Sequence, residues 1–280
     1  MRARFIDVDG TCTRVLTSGD PARPAILLLH GFGGTADLWI RNFEALGRHF
    51  FVVAPDLIGS GFSCSDRLDA GTPPQPIMLQ HLRALVDTLG LQRFCASGSS
   101  YGALMAGLLY FDMPERIDRL IINGSANCFN PESALSAALI RMRDNYLPFL
   151  EDPDLESCRR TMQGIVHDPA SVPEEILPVM LTAYSQPWLL SAWKGALQGL
   201  MDMDAARQYR IFDRLEQIRV PTLLLWGHDD VGAPYEYAVQ ASRRIPGARL
   251  VGFRDCGHKP MFEHADAYNQ HVIRFLSERG

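Results

Sequence analysis

Four unbroken apolar runs of strand length constrain this chain more than any other feature. They are ILLL (26–29), FFVVA (50–54), LIIN (120–123) and TLLLW (222–226). A strand with one solvated face alternates apolar and polar residues. A strand with no alternation is covered on both faces, and that situation belongs to a mostly parallel sheet flanked by helices. Strands are expected at 11–16, 25–30, 50–55, 94–99, 119–123, 221–226 and 248–253. Between them lie helical patterns. A fair amphipathic stripe runs over 76–89, with apolar Ile77, Leu79, Leu82, Leu85, Val86 and Leu89. The stretch 101–112 is apolar nearly all round and reads as a buried helix stopped by Pro114. Residues 261–276 read as a helix on the outer face. Strand–helix alternation of this kind predicts a doubly wound α/β fold.

The alternation breaks between 131 and 212. No strand run occurs there, and the helical pieces are separated by Pro148, Pro153, Pro169, Pro173, Pro178 and Pro187. The segment is also rich in Met and holds Trp188 and Trp193. It predicts a helical cap of residues 131–212 inserted after strand 6, over a core of residues 1–130 and 213–280. At 280 residues the chain has room for one such domain with its insertion.

Composition narrows the function classes. The net charge of −5 gives no basic footprint for nucleic acid. No apolar run reaches the roughly 18 residues of a membrane span, and the start MRARFIDVDG is not followed by the apolar stretch of a secretory signal. The six Cys (12, 64, 95, 128, 158 and 256) form no C-x-x-C pair, which argues for a reducing, cytoplasmic setting rather than a disulfide or zinc framework.

Chemistry concentrates in the loops after the predicted strands. Gly98-Ser99-Ser100-Tyr101-Gly102 joins a strand to a helix, the context that G-x-S-x-G requires. The turn holds Ser100 at its tip, and the helix N-terminus beneath favours developing negative charge. His30-Gly31-Phe32-Gly33-Gly34 follows another strand. An oxyanion needs two N–H donors aimed at one point, and the backbone amides of Phe32 and Tyr101 are the expected pair. His30 is expected to hold the loop by hydrogen bonding. DLIGSGFS (56–63) reads as a turn supporting the site wall, since no G-K-[ST] follows it. GHDDVGAP (227–234) offers an acid to orient a histidine, and Asp229 and Asp230 compete for the role. Cys256-Gly257-His258-Lys259-Pro260 supplies the histidine. The chain order Ser100, Asp230, His258 is that of a nucleophile-elbow hydrolase. No metal or organic cofactor is called for.

With those five motifs in place, the chain resembles the α/β-hydrolase fold superfamily over nearly its whole length. The family pattern G-x-x-D-x-x-x-P puts the acid on Asp230, with Asp229 as the alternative. Ser100 argues against epoxide hydrolases and haloalkane dehalogenases, which usually carry Asp at that position. Within the superfamily the C-terminal run CGHKPMFEHADAYNQHVIRFL and the segment HDPASVPEEI are similar to meta-cleavage-product hydrolases, which cut carbon–carbon bonds in vinylogous diketo acids. Several of that group's site residues differ here. Ser99 stands where Asn is usual, Lys259 where Trp is usual, and Met180 aligns with a substrate-binding Arg. Asn42 falls one residue later than the group's Asn, after Ile40 and Arg41.

The expected function is a serine hydrolase of a fairly apolar carbonyl substrate, a carboxylic ester or lactone, through an acyl-enzyme. The alternative is a C–C bond hydrolase in which Lys259 or Arg41 replaces the missing Arg. A third reading is a non-hydrolytic cyclase, lyase or ligand-binding member of the fold. Gly33, Ser99, Arg41, Met142, Tyr146, Met180, Trp188, Trp193 and Lys259 are the expected pocket residues. The expected partner is a small apolar substrate, with neither nucleic acid nor membrane. A homodimer through the cap helices or the edge strand is compatible with the sequence.

Overall fold

The structure, a computed structural model, describes residues 1–63, 68 and 72–278. Cys64 lies outside them. Among the described residues eight strands form one sheet, in the order β1-β2-β4-β3-β5-β6-β7-β8. The strands are β1 (Arg2–Val8), β2 (Thr11–Ser18), β3 (Ala25–Leu29), β4 (Phe51–Pro55), β5 (Phe94–Ser99), β6 (Ile117–Asn123), β7 (Thr222–Gly227) and β8 (Arg249–Phe253). β3 to β8 run parallel, while β2 is antiparallel to β4 and β1 to β2. Every residue of β3, β5 and β7 is buried, as continuous apolar runs require of strands covered on both faces.

β1 was not among the expected strands. RARFIDV is largely exposed, so it carries no buried stripe to read. Its turn was legible, however. Val8 pairs with Thr11 across Asp9-Gly10, and both turn residues have positive φ (51° and 78°). Asp-Gly is the preferred pair for a two-residue hairpin of this twist.

Two helices fall close to expectation, Gln75–Thr88 and Tyr101–Asp112, the second buried over most of its length. The C-terminal stretch divides into Pro260–Glu263 and Ala265–Ser277. Between β6 and β7 all regular elements are helical. The longest are Glu132–Glu151, Leu155–Gln163, Leu177–Tyr184 and Leu189–Met201. Among the described residues no helix is long and apolar enough to cross a membrane.

The chain leaves β3 for β4 on one side of the sheet and returns to β5 on the other. A strand-order reversal opens a crevice outside the carboxyl ends of the strands, where open α/β sheets bind ligands. The loops after β3, β5, β7 and β8 all open toward that edge, and they carry HGFGG, Ser100, the Asp pair and His258.

Candidate active site

Ser100 occupies the turn between β5 and the helix Tyr101–Asp112 with φ 56° and ψ −121°. Such a conformation is costly for a residue with a Cβ and persists only where the surroundings impose it. The end of β6 and the loop just after it do so here. The Ser100 amide donates to the Asn123 carbonyl (2.9 Å), Ser125 Oγ donates to the Ser100 carbonyl (2.6 Å), and Asn123 Nδ2 donates to the Gly98 carbonyl (2.7 Å). Both motif glycines are sterically required. A Cβ on Gly98 would lie 2.1 Å from the Gly102 carbonyl oxygen, and one on Gly102 would lie 2.3 Å from the His30 carbonyl oxygen.

Geometry separates the two adjacent aspartates. Asp230 is buried, and its Oδ2 accepts from His258 Nδ1 at 2.7 Å. Its Oδ1 accepts from the amides of Gly232 (3.0 Å) and Ala233 (2.9 Å), which fixes the carboxylate. Asp229, although also at the cavity, does not bond His258. It is half exposed and takes the Cys256 amide (3.2 Å) and the His167 ring (3.0 Å) instead. Gly124 clears space for the pair: a Cβ there would lie 3.1 Å from Asp230 Oδ2 and 3.4 Å from His258 Nδ1. His258 and Ser100 line the same cavity. No hydrogen bond joins the Ser100 hydroxyl to the ring among the described residues; such bonds often tighten only when substrate is bound.

The two expected amide donors are unengaged. Neither Phe32 N nor Tyr101 N gives a hydrogen bond among the described residues. The glycine loop is braced from below by His30, which is fully buried. Leu57 N–H donates to its Nε2 (2.9 Å), so Nδ1 carries the proton and donates to the Gly31 carbonyl (2.7 Å). Burial pushes the pKa of this imidazole down and keeps it neutral. Asp56, from the DLIGSGFS turn, binds the Ala36 amide (2.7 Å), the Phe62 amide (2.8 Å) and the Arg14 guanidinium (2.7 Å), so that turn is a brace for the site wall.

The cavity above Ser100 measures about 390 Å³. Its floor is Gly31, Phe32, Ser100, His258 and Lys259, and its roof is the helical segment, including Leu139, Met142, Tyr146, Ile165 and Met180. Of the expected pocket residues, Met142, Tyr146, Met180 and Lys259 line it. The others do not. Ser99 is wholly buried beneath the turn. Arg41 is half exposed and pairs with Glu175 at 3.4 Å. Trp193 packs behind the wall, on Tyr146 (6.3 Å between ring centroids) and Phe32 (5.5 Å). Gly33 turns away toward Trp193: a Cβ on it would lie 2.6 Å from Nε1. Trp188 is partly buried elsewhere in the helical segment. Asn42 is also outside the cavity, donating to the Met261 carbonyl (3.0 Å) and to Asn269 Oδ1 (2.8 Å).

Sequence reasoning missed Glu263. Its carboxylate accepts from the amides of Gly257 (2.8 Å), Lys259 (2.9 Å) and His167 (2.7 Å), clasping the loop that presents His258. A glutamate five residues beyond the histidine, at the end of a short helix, gave no signal of that role. His228, just before the Asp pair, stacks on Tyr235 at 4.0 Å. His167, Asp229 and Asp255 bring donor atoms within 4.8 Å of one another, all on exposed residues.

With this geometry in view, comparisons with known proteins are specific. The family described as "alpha/beta hydrolase fold" matches residues 24–265. A Pseudomonas putida 2-hydroxy-6-oxononadienedioate/2-hydroxy-6-oxononatrienedioate hydrolase is 29% identical over 90% of this chain and 87% of its own. A Burkholderia cepacia 2-hydroxy-6-oxo-6-phenylhexa-2,4-dienoate hydrolase is 26% identical over 90% and 87%. The solved structure of a hydrolase of that name from Rhodococcus sp. strain RHA1 superposes with a TM-score of 0.83 at 24% identity, covering 99% of this chain and 100% of its own, a likeness of fold. These relatives overturn the expectation of an ester or lactone substrate. They are dienoate hydrolases, of the carbon–carbon class that stood as the alternative. The chain is a hydrolase and belongs to the α/β-hydrolase fold family.

Proposed function

We propose that this protein hydrolyses a carbon–carbon bond in a 2-hydroxy-6-oxo-dienoic acid, a meta-cleavage product. The observation that carries the reading is one cavity joining Ser100, the Asp230-bound His258 and a buried cation, Lys259, in a chain whose relatives act on such acids. Residues 131–212 serve as the cap that closes it.

The chemistry follows from the leaving group. Water cannot cleave a ketone from carbon unless the departing carbon can hold an electron pair. Moving the enol proton to C5 turns the 2-hydroxydienoate into a 2-oxo enoate, whose conjugated carbonyl is that electron sink. His258 is the group at hand for the transfer. Ser100 then attacks the C6 carbonyl while His258 takes its proton and Asp230 stabilises the imidazolium. The oxyanion is received by the Phe32 and Tyr101 amides, each worth about 10²–10³ in rate in comparable sites. Collapse breaks the C5–C6 bond, the electron pair passes into the dienolate, and His258 gives the proton it took from Ser100 to that leaving group, so that it is neutral again. The acyl group stays on Ser100 until water, activated by His258, releases it as a carboxylic acid. Buried, unpaired thiols at Cys95, Cys128 and Cys256 support a reducing, cytoplasmic setting.

The test is direct. Dienoates of this class are yellow, and cleavage removes the chromophore. The protein is expected to bleach 2-hydroxy-6-oxo-6-phenylhexa-2,4-dienoate or the corresponding dienedioate, and Ser100→Ala to lose that activity. No bleaching of either by the folded protein would remove the proposal.

A further inference from the structure

Lys259 is one of only two lysines in the chain, and it is in an expensive place. It is 3% exposed and lines the cavity beside Ser100 and His258. The ideal Cβ position over Gly31 lies 3.2 Å from Ser100 Cβ and 3.6 Å from Lys259 Nζ, so the Ser100 side chain and the ammonium flank the same glycine. Among the described residues no hydrogen bond or ion pair engages that ammonium. The two nearest carboxylates are spent on other donors: Asp230 on His258, Gly232 and Ala233, and Glu263 on three backbone amides. A buried, unpaired cation is normally avoided or neutralised. Desolvation does push its pKa down, to about 8, which still leaves it mostly protonated at neutral pH.

We infer that Lys259 is the anion seat of the cleft, binding the substrate's carboxylate while the carbonyl to be attacked lies over Ser100. The inference deepens the dienoate reading and rests on it. It assigns to the residue after the histidine the charge that neither of the other candidates supplies. Met180 puts only a thioether on the cavity wall, and Arg41 is outside the cavity, paired with Glu175. Arg141 is the remaining cation of the lining. It is exposed, with Nη2 donating to the Val231 carbonyl at 3.3 Å. The closeness of Nζ to Ser100 favours a short acid, with its anion a few bonds from the reacting ketone. The apolar remainder of the wall, Leu139, Met142 and Met180, receives the uncharged end of the substrate.

The experiment compares Lys259→Met, Lys259→Arg and Arg141→Gln. With the phenyl dienoate, Lys259→Met is expected to raise KM about 10–100-fold, the range for losing one charge-assisted hydrogen bond, with a smaller change in kcat. Lys259→Arg should recover part of that loss. An unchanged KM in Lys259→Met, or an equal rise in Arg141→Gln, overturns the inference while the dienoate reading stands. If no dienoate is bleached, titration calorimetry of Ser100→Ala protein decides. Preference for benzoate over benzamide, abolished by Lys259→Met, keeps the anion seat although the reaction was misassigned. Absence of that preference, or no binding of either, overturns it. Circular dichroism of each variant excludes misfolding as the cause.

Discussion

The backbone N–H of His258 donates to the carbonyl of Ile165 at 2.8 Å, so the loop that presents the imidazole is bonded to the helical segment roofing the cleft. Glu263 strengthens the same junction by holding the amides of Gly257, Lys259 and His167. The histidine's position therefore depends on contacts from both sides of the cavity.

Glu263→Ala tests that dependence. It leaves three amides without an acceptor. Stability is expected to fall by about 2 kcal/mol, and kcat by at least about tenfold, as the ring loses its fixed orientation. Denaturant unfolding and dienoate turnover read the two effects. Wild-type kcat in this variant would show that the clasp is irrelevant to the imidazole.

The Asp pair makes a sharper contrast. Asp230→Asn should lower kcat by about 10³–10⁴, because an amide that donates to Nδ1 selects the wrong tautomer. Asp229→Asn, at a half-exposed group bonded to Cys256 and His167 rather than His258, should stay within about twofold. Steady-state kinetics on both variants checks the pair.

Lys259 gives a pH dependence of known sign. Its amine loses its charge as pH rises through about 8, despite Asp230 and Glu263, which both favour the proton. The substrate carboxylate stays ionised throughout. KM for the acid is therefore expected to climb above pH 8, by up to about tenfold per unit once the amine is mostly neutral. Lys259→Arg should flatten the climb, since a guanidinium stays charged. A flat KM for the wild type between pH 7 and 10 would count against the ammonium as the binding group.

The same residue links function to stability. The ordinary lysine pKa is 10.5 and burial lowers it to about 8. The folded state thus holds the proton less tightly than the unfolded chain. The resulting destabilisation is full below pH 8 and fades as pH rises to 10.5. Lys259→Met removes it, with a gain on the order of 2 kcal/mol at pH 7, or about 4 °C in Tm. Calorimetry at pH 7 and 10 should show the gain at pH 7 and its loss at pH 10. A variant that binds the acid poorly yet melts later is the signature of a charge kept for function.

Much of this was legible in the chain. The parallel strands were readable because burial on both faces leaves unbroken apolar runs such as TLLLW. GSSYG was readable because a tight strand-to-helix turn needs glycine at both ends, where Gly98 meets Gly102 and Gly102 meets the His30 carbonyl. The exposed β1 left no hydrophobic imprint, and only Asp9-Gly10 marked its turn. Adjacent Asp229 and Asp230 could not be separated by pattern, since their difference is one of direction. Trp193 looked like pocket lining by type, but packing set it one layer behind Tyr146 and Phe32. Lys259 was visible as a departure from a pattern. That it stands buried and unpaired beside Ser100 required coordinates.

In the proposed reaction Ser100 carries the acyl half of a cleaved carbon–carbon bond. Rapid mixing with excess 2-hydroxy-6-oxo-6-phenylhexa-2,4-dienoate, acid quenching and mass spectrometry of the peptides tests it. A benzoyl group on Ser100, formed as the yellow colour disappears and absent from Ser100→Ala, is the predicted result. Bleaching by Ser100→Ala at the wild-type rate would contradict it.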